Sequence, residues 1–198
     1  MIRSRIPVNQ WLQHLPSVEE VRPPLCVACG AASRPAGGGL VLHGHGLRPR
    51  QLRGPTAVRA PPSLREVLAR RYQCQRCVAI LLVVPCEIAP RRHYAATAIA
   101  LALALYGALG QSQAQVRSVI SSDGTLGLCA TYRWRTLSRW IDAAAARALF
   151  IALPAMPITG NRRAIAQRAA MAIGAHAPPS LPEGAPEVRA FAGAAHMP

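Results

Sequence analysis

The sequence predicts an α+β protein, in which a small β-rich region is followed by a helix-turn-helix-like α-helical unit and an irregular C-terminal tail. Two observations predict the β-rich region. A Cys-x-x-Cys pair stands near each of its ends, and short apolar runs alternate between the pairs with Gly- and Pro-rich turns. A third observation predicts the helices, because from Tyr94 onward alanine and leucine dominate an uncharged run that is too long for a strand.

The first 90 residues divide into an arm and the β-rich region. Residues 1–22 are expected to form an extended or partly helical N-terminal arm, which Trp11 and Leu12 can anchor. In residues 23–90 we expect strands at 40–43, 67–72 and 78–84. A long hairpin insertion is expected at 37–54, between the two cysteine pairs.

Residues 91–150 are predicted to form the helical unit. Its first helix follows Tyr94 and ends before Gly110, and its mixture of alanine and larger apolar residues predicts burial on most sides. Ser112 and Gln115 form a capping-box pattern that opens a second helix, which ends at Ile120. A third helix, at 132–150, has one apolar face: Leu137, Trp140, Ile141 and Ala144. Residues 151–198 are expected to add a helix at 162–173 and then a Pro-rich, mostly irregular tail.

The charge balance favours a polyanionic partner. The net charge is +15, from 23 basic residues against 8 acidic ones, and every basic residue is an arginine. Such a chain neutralises phosphates and releases counterions, so nucleic acid is the expected partner. GC-rich codon usage is an alternative explanation for arginine in place of lysine, but it does not explain the shortage of acids.

The N-terminal sequence has no apolar segment and no small-residue cleavage site of the kind found in signal peptides. We therefore expect a cytoplasmic, nucleoid-associated bacterial protein with no membrane partner. Residues 94–116 are uncharged and offer the alternative of a membrane anchor. Their apolar part ends near Leu109 and is rich in alanine, which favours a buried helix instead.

The two cysteine pairs predict a structural zinc site. Cys26 and Cys29 form one pair, Cys74 and Cys77 the other, and four thiolates are a set that Zn²⁺ takes in closed tetrahedral sites. Residues 30–73 between the pairs exceed the usual separation, but a hairpin insertion lengthens a loop at little entropic cost. A redox site, a catalytic zinc and a site in which His43 or His45 replaces a cysteine are the alternatives. The other two cysteines, Cys86 and Cys129, are expected to be unligated thiols.

Arginines cluster in the segments expected to contact nucleic acid. On the third helix, arginines lie opposite the apolar face, where such side chains can read guanine in the major groove. Arginines at the hairpin tip and on the strand before the second cysteine pair suit phosphate contacts. Arg117 makes the second helix a rival for the reading role, and ordinary solvated charge is the alternative throughout. The candidate DNA-binding residues are Arg48, Arg50, Arg53, Arg70, Arg71, Arg117, Arg133, Arg135 and Arg139.

Several segments resemble the N-terminal region of bacterial insertion-sequence transposases, and also a family of short bacterial proteins found near mobile elements. These are "CVACG", "HGHGLRPRQLRG", "RRYQCQRC", "GQSQAQVRSV" and "TLSRW", within residues 24–145. The resemblance implies a zinc ribbon with metal at the four cysteines, helix-turn-helix elements, terminal-repeat DNA as the target and a separate transposase subunit as a partner. Val78 stands where that family usually has glycine, so a less regular second cysteine turn is expected.

The catalytic half of such transposases is missing. Their nuclease chemistry needs clustered carboxylates to hold two metal ions, whereas the acids here are scattered: Glu19, Glu20, Glu66, Glu87, Asp123, Asp142, Glu183 and Glu187. We therefore expect a non-catalytic, zinc-dependent DNA-binding protein, as a transposase-like remnant or as an accessory protein of a mobile element. A transcriptional regulator is the closest alternative. A zinc-ribbon module that binds protein or RNA without specific DNA recognition is the alternative from another class.

Overall fold

The computed structural model describes residues 1–90, 92–123, 134–155, 160–181 and 184–197. These residues form one four-stranded sheet and six helices, which confirms the α+β class. The chain divides into two compact units. The first contains residues 1–51 and 66–90, and the second contains residues 52–65 and 91–198.

The sheet has the strand order β1-β4-β3-β2. Its strands are β1 (Ile2–Arg3), β2 (Leu42–Gly54), β3 (Ser63–Cys74) and β4 (Ile80–Val84). β4 runs antiparallel to β3, with Gln73 opposite Ile80, and parallel to β1. β2 and β3 extend well beyond the predicted strands, and β2 is an edge strand. The edge position accommodates Pro49, which has no N–H to donate to a neighbouring strand.

The N-terminal segment is bonded to the sheet rather than free. After β1 it forms a short helix, α1 (Val8–Gln13), and the indole N–H of Trp11 donates to the Leu68 carbonyl oxygen at 2.9 Å. Trp11 is buried, as predicted. Leu12, the other residue expected to anchor this segment, is 36% exposed. The buried side of α1 holds Val8 and Trp11, which lie three residues apart and therefore on one face.

The second unit contains five helices in its described residues. They are α2 (Ala96–Gly107), α3 (Gln113–Ile120), α4 (Arg135–Ala145), α5 (Arg162–Gly174) and α6 (Pro186–His196). α2 is buried along its whole length except at Tyr106, as its alanine- and leucine-rich sequence predicted. α5 and α6 pack closely on it, and a Cβ atom at Gly107 would run into the backbone of α5. None of the helices in the described part of the chain has the length and apolarity needed to cross a membrane.

The capping box predicted for α3 is confirmed. The Ser112 side chain accepts the Gln115 backbone N–H, and the Gln115 side chain accepts the Ser112 backbone N–H. The prediction for α4 is partly wrong. Its expected first residues, 132 and 133, lie outside the described residues, and the helix ends at Ala145 rather than near 150. The chain cannot continue as a helix there, because Arg147 and Phe150 adopt φ angles of +55° and +60°.

The predicted irregular C-terminal tail is also wrong, because residues 186–196 form α6. Proline at the first position of this helix supplies a fixed φ angle and lacks an N–H that would have no partner there. Its buried face consists of small residues, Ala190, Gly193 and Ala194, which let it approach α5 closely. Composition alone indicated irregular structure, whereas close packing of small residues against α2 and α5 stabilises a helix.

Candidate metal centre

Four cysteine sulfurs from two distant segments meet in the first unit. The Sγ atoms of Cys26, Cys29, Cys74 and Cys77 all lie within 4.8 Å of one another. Sγ of Cys26 is 3.7 Å from that of Cys77, and Sγ of Cys29 is 3.8 Å from that of Cys74. The first residue of each pair is buried and the second is exposed. This confirms the predicted convergence of the two Cys-x-x-Cys pairs.

The spacing of the sulfurs suits a tetrahedral metal site. A zinc–sulfur distance of about 2.3 Å at the tetrahedral angle implies sulfur–sulfur distances of about 3.8 Å. The Cys26–Cys77 and Cys29–Cys74 distances match this value. All four thiols are free, and a disulfide would need sulfurs about 2.05 Å apart. The four cysteines are therefore close enough to hold one metal ion.

The first cysteine turn, which we call knuckle 1 (residues 26–31), is closed by two backbone hydrogen bonds. The N–H of Gly30 donates to the Cys26 carbonyl oxygen at 2.8 Å, and the N–H of Cys26 donates to the Ala31 carbonyl oxygen at 2.8 Å. The turn requires a left-handed residue at its fifth position, and Gly30 supplies it with a φ of +72°. The backbone conformation of the turn therefore favours glycine at this position.

Knuckle 2 (residues 74–79) repeats that backbone without a glycine. The N–H of Val78 donates to the Cys74 carbonyl oxygen at 2.9 Å, and the N–H of Cys74 donates to the Ala79 carbonyl oxygen at 3.0 Å. Val78 adopts a φ of +61°, which is rare for a β-branched residue. The expectation of a less regular second turn is thus wrong. The regular geometry is kept, and strain at Val78 is the consequence.

The two cysteines of knuckle 2 have opposite pKa shifts. The backbone N–H groups of Cys77 and Arg76, together with neighbouring thiols, lower the pKa of Cys74 to about 7 against the opposing effect of desolvation. At Cys77 the backbone N–H of Ala79 lowers the pKa, but desolvation and the neighbouring thiols outweigh it and raise the pKa to about 12. The two thiols of this pair therefore differ in how readily they lose a proton. A bound cation would supply the positive charge that lets the whole set become thiolates.

The alternative ligands lie elsewhere. Neither His43 nor His45 belongs to the sulfur cluster, and a ring nitrogen of His43 lies 2.9 Å from the Leu40 carbonyl oxygen. The thiol of Cys86 donates to a Glu87 carboxylate oxygen at 3.2 Å. Desolvation, followed by the charge of Glu87, raises the pKa of Cys86 to about 12, which favours the neutral thiol. Cys129 lies outside the described residues.

The arginines predicted to contact DNA are spread over both units. Arg48 and Arg50 lie within β2, and the prediction that they form a hairpin tip is wrong because the strand continues to Gly54. Arg48 is exposed and Arg50 is half-buried. On β3, Arg70 donates from Nε to the Pro16 carbonyl oxygen at 2.7 Å and therefore holds the N-terminal segment. The remaining positions are Arg71 on β3, half-buried; Arg117 on α3, half-buried; and Arg133, outside the described residues.

On α4 the predicted division into two faces is confirmed. Leu137, Trp140 and Ile141 are buried, together with Ala144. Arg135 and Arg139 are exposed on the opposite side. Asp142, on the same exposed side, forms an ion pair with Arg162 at 3.2 Å.

Arg53 and Arg139 line one cleft of the second unit, which we call the arginine cleft. Its volume is about 320 Å³, and its lining includes Arg53, Arg92, His93, Tyr94, Arg139 and Trp140. Arg53 was predicted at the tip of the hairpin, but its backbone N–H donates to the His93 carbonyl oxygen at 2.7 Å, and its carbonyl oxygen accepts the Ala95 N–H. These bonds hold it beside the segment that leads into α2.

Sequence reasoning missed Arg92 and His93. They belong to the basic run before the apolar helix and are not among the predicted DNA-binding residues. Their proximity to Arg53 and Arg139 depends on tertiary pairing that no local pattern encodes.

Comparisons with protein-family models, with curated proteins and with solved structures find no match for this chain.

Proposed function

We propose that this chain is a non-catalytic DNA-binding protein whose first unit is a zinc ribbon and whose second unit carries a helix-turn-helix-like element. The observation that carries the DNA-binding proposal is α4, which buries one apolar face and exposes Arg135 and Arg139 on the other. The net charge of +15 supports a polyanionic partner. The α4 face is the candidate base-reading surface, because arginine can pair bidentately with guanine.

Zinc is the proposed metal because the ligand set consists of four sulfurs. Soft thiolates in a tetrahedral arrangement select Zn²⁺ or iron–sulfur chemistry over hard cations. The closed turns of both knuckles favour a structural role, since four protein ligands leave no open position for a substrate. The ion would tie knuckle 1 to the end of β3, and so would stabilise the fold of the first unit.

A mobile-element role follows from the sequence resemblance alone. We propose an accessory protein or a transposase-like remnant that binds terminal-repeat DNA in the bacterial cytoplasm, beside a separate transposase subunit. The placement of several acids supports a non-catalytic role. Glu19 pairs with two arginines, Asp123 with Arg53, and Glu87 accepts the Val8 N–H.

The test is selection of bound fragments from random DNA by the zinc-loaded protein, repeated across a salt series. We expect a preferred sequence, and an affinity that falls steeply with salt. Replacing Arg135 and Arg139 by alanine should relax the sequence preference. Replacing Arg48 and Arg50 should reduce the salt slope by roughly 1 for each lost phosphate contact. Arg59→Ala, an exposed arginine outside these surfaces, is the matched control.

Binding without sequence preference that survives loss of the α4 arginines would refute base reading by this helix. Salt-independent binding, or none, would refute the DNA proposal and leave the protein or RNA interaction module. Zinc removal should abolish any contribution of the first unit to DNA binding. If chelation leaves selection and salt slope unchanged, DNA binding does not depend on zinc.

A further inference from the structure

The arginine cleft of the second unit carries an excess of positive charge. Arg53 forms an ion pair with Asp123 at 2.5 Å, and its Nε is buried and has no acceptor among the described residues. Arg92 and Arg139 have no acidic partner in the described part of the chain. Three guanidinium groups and one carboxylate leave the cleft with a net charge of +2. That excess of positive charge attracts anions to the cleft.

Hydrogen bonds hold the Arg53 backbone and the Tyr94 side chain in the walls of the cleft. Arg53 is held through its backbone to His93 and Ala95, and Gly54 beside it has a φ of +111° with Ala98 close against it. Tyr94 is bonded through its hydroxyl to the Ser121 hydroxyl at 3.1 Å. The ion pair with Asp123 also restricts the Arg53 side chain, so this guanidinium loses less conformational entropy when it binds a ligand.

Aromatic rings line one side of the cleft. The rings of Tyr94 and Trp140 meet edge to face, with centroids 4.9 Å apart, and Trp134 packs edge to face against Trp140 at 5.1 Å. Trp140 is almost fully buried, whereas Tyr94 is half-buried, and both line the cleft. Flat rings beside arginines are the combination that holds nucleotides, because every base has a face that stacks.

We infer that the arginine cleft binds the phosphate monoester of a nucleotide, either free or at the 5′ end of a DNA strand. A phosphate monoester carries about −1.5 to −2 charges at neutral pH, which matches the net charge of the cleft. A phosphodiester within a strand carries only one. The volume of about 320 Å³ is in the range of small-ligand pockets and admits more than a phosphate alone. The site shares Arg139 with the proposed DNA-binding face but does not require that α4 read bases.

The test is isothermal titration of the zinc-loaded full chain, at low salt, with deoxyadenosine 5′-monophosphate. Deoxyadenosine and inorganic phosphate are the comparison ligands. We expect the monophosphate to bind more tightly than either, because only it offers both phosphate and ring. Arg139→Gln and Arg92→Gln should each weaken its binding by about tenfold, the typical effect of removing a charged hydrogen-bond donor. Arg59→Gln makes the same charge change outside the cleft and should leave binding unchanged.

The source of the phosphate is distinguished by short single strands with a 5′-phosphate or a 5′-hydroxyl. Tighter binding of the phosphorylated strand assigns the cleft to strand ends. Equal binding of the two strands, alongside binding of the free monophosphate, assigns it to free nucleotides. The inference is overturned if deoxyadenosine or inorganic phosphate binds as well as the monophosphate. It is also overturned if Arg59→Gln weakens binding as much as the cleft variants do. Fluorescence of the buried tryptophans verifies that each variant folds. If Arg139→Gln does not fold, Arg92→Gln still tests the inference.

Discussion

Val78→Gly should strengthen knuckle 2. The native backbone holds Val78 at a φ of +61°, the conformation that knuckle 1 gives to Gly30. An L-residue in this region costs about 1–2 kcal/mol relative to a right-handed conformation. Glycine removes that cost but loses about 0.5–1 kcal/mol through the greater freedom of its unfolded chain. The net gain expected for the folded knuckle is about 1 kcal/mol.

Packing has to be separated from strain. The side chain of Val78 is 65% exposed, so little apolar contact is lost when it is removed. Val78→Ala loses most of the same contact but keeps the left-handed cost. The comparison of glycine with alanine at this position therefore isolates the backbone term, and glycine should be the more stable by about 0.5–1 kcal/mol.

The assay is competition for zinc between the protein and a chromophoric chelator, with urea unfolding of the loaded protein as a second measurement. If the metal-free knuckle relaxes to an unstrained backbone, zinc binding has to restore the strained φ angle at Val78. The free energy of that strain then lowers the zinc affinity of the wild type. Val78→Gly should then raise zinc affinity about fivefold, the equivalent of about 1 kcal/mol. Gly30→Ala is the reciprocal control. An added Cβ there meets no atom within 4 Å, so its expected loss of affinity reports backbone strain alone. Equal affinities for the glycine and alanine variants at 78 would refute strain as a property of this knuckle.

Three further predictions concern the first unit. Cys77→Ser should lower the zinc content well below one ion per chain in metal analysis, and retention of a full equivalent would show that this sulfur is not a ligand. Hydrogen bonds from two arginines lower the pKa of Glu19 to about 2 from its ordinary 4.5. Its contribution to stability is therefore present above pH 4.5 and is lost as the pH falls towards 2. The urea midpoints of the wild type and Glu19→Gln should differ at neutral pH and converge on acidification; a constant difference would contradict the shift. Glu87→Ala removes the buried acceptor of the Val8 N–H, at 2.8 Å, and should cost about 1–3 kcal/mol and expose the N-terminal segment to protease. Glu66→Ala, at an exposed position, should do neither.

Local chemistry explains which features could be predicted from sequence. The pairing of Cys26 with Cys29 and of Cys74 with Cys77 depends on a two-residue spacer, which brings both sulfurs of each turn to one side. The helix start at Ser112 depends on a side chain that accepts a backbone N–H three residues later. In each case the residues that make the structure are neighbours along the chain, so their spacing is sufficient information.

Composition misled where packing decides. The tail from residue 178 onward is rich in proline, alanine and glycine, which favours irregular structure in isolation. α6 nevertheless forms, because Gly193 lets it lie directly against the Ile173 backbone of α5. An alanine-rich helix has little side-chain volume to hold neighbouring helices apart. The same small residues that make the sequence low in complexity therefore allow the helices to pack closely.

Arg53 illustrates why a count of charges along the sequence does not predict where an anion would bind. Its place in an Arg-Gly-Pro sequence is typical of a turn, and a turn between the cysteine pairs predicts an exposed ribbon tip. In the structure, the Arg53 backbone is instead hydrogen-bonded to residues 93 and 95. The neighbouring residue has to be glycine, because a Cβ atom at Gly54 would clash with Ala98. Total charge therefore predicts that the chain meets an anion, but not where. A site with three arginines arises only when the end of β2, the segment before α2 and one side of α4 come together, and each of those arginines looks like ordinary surface charge in its own segment.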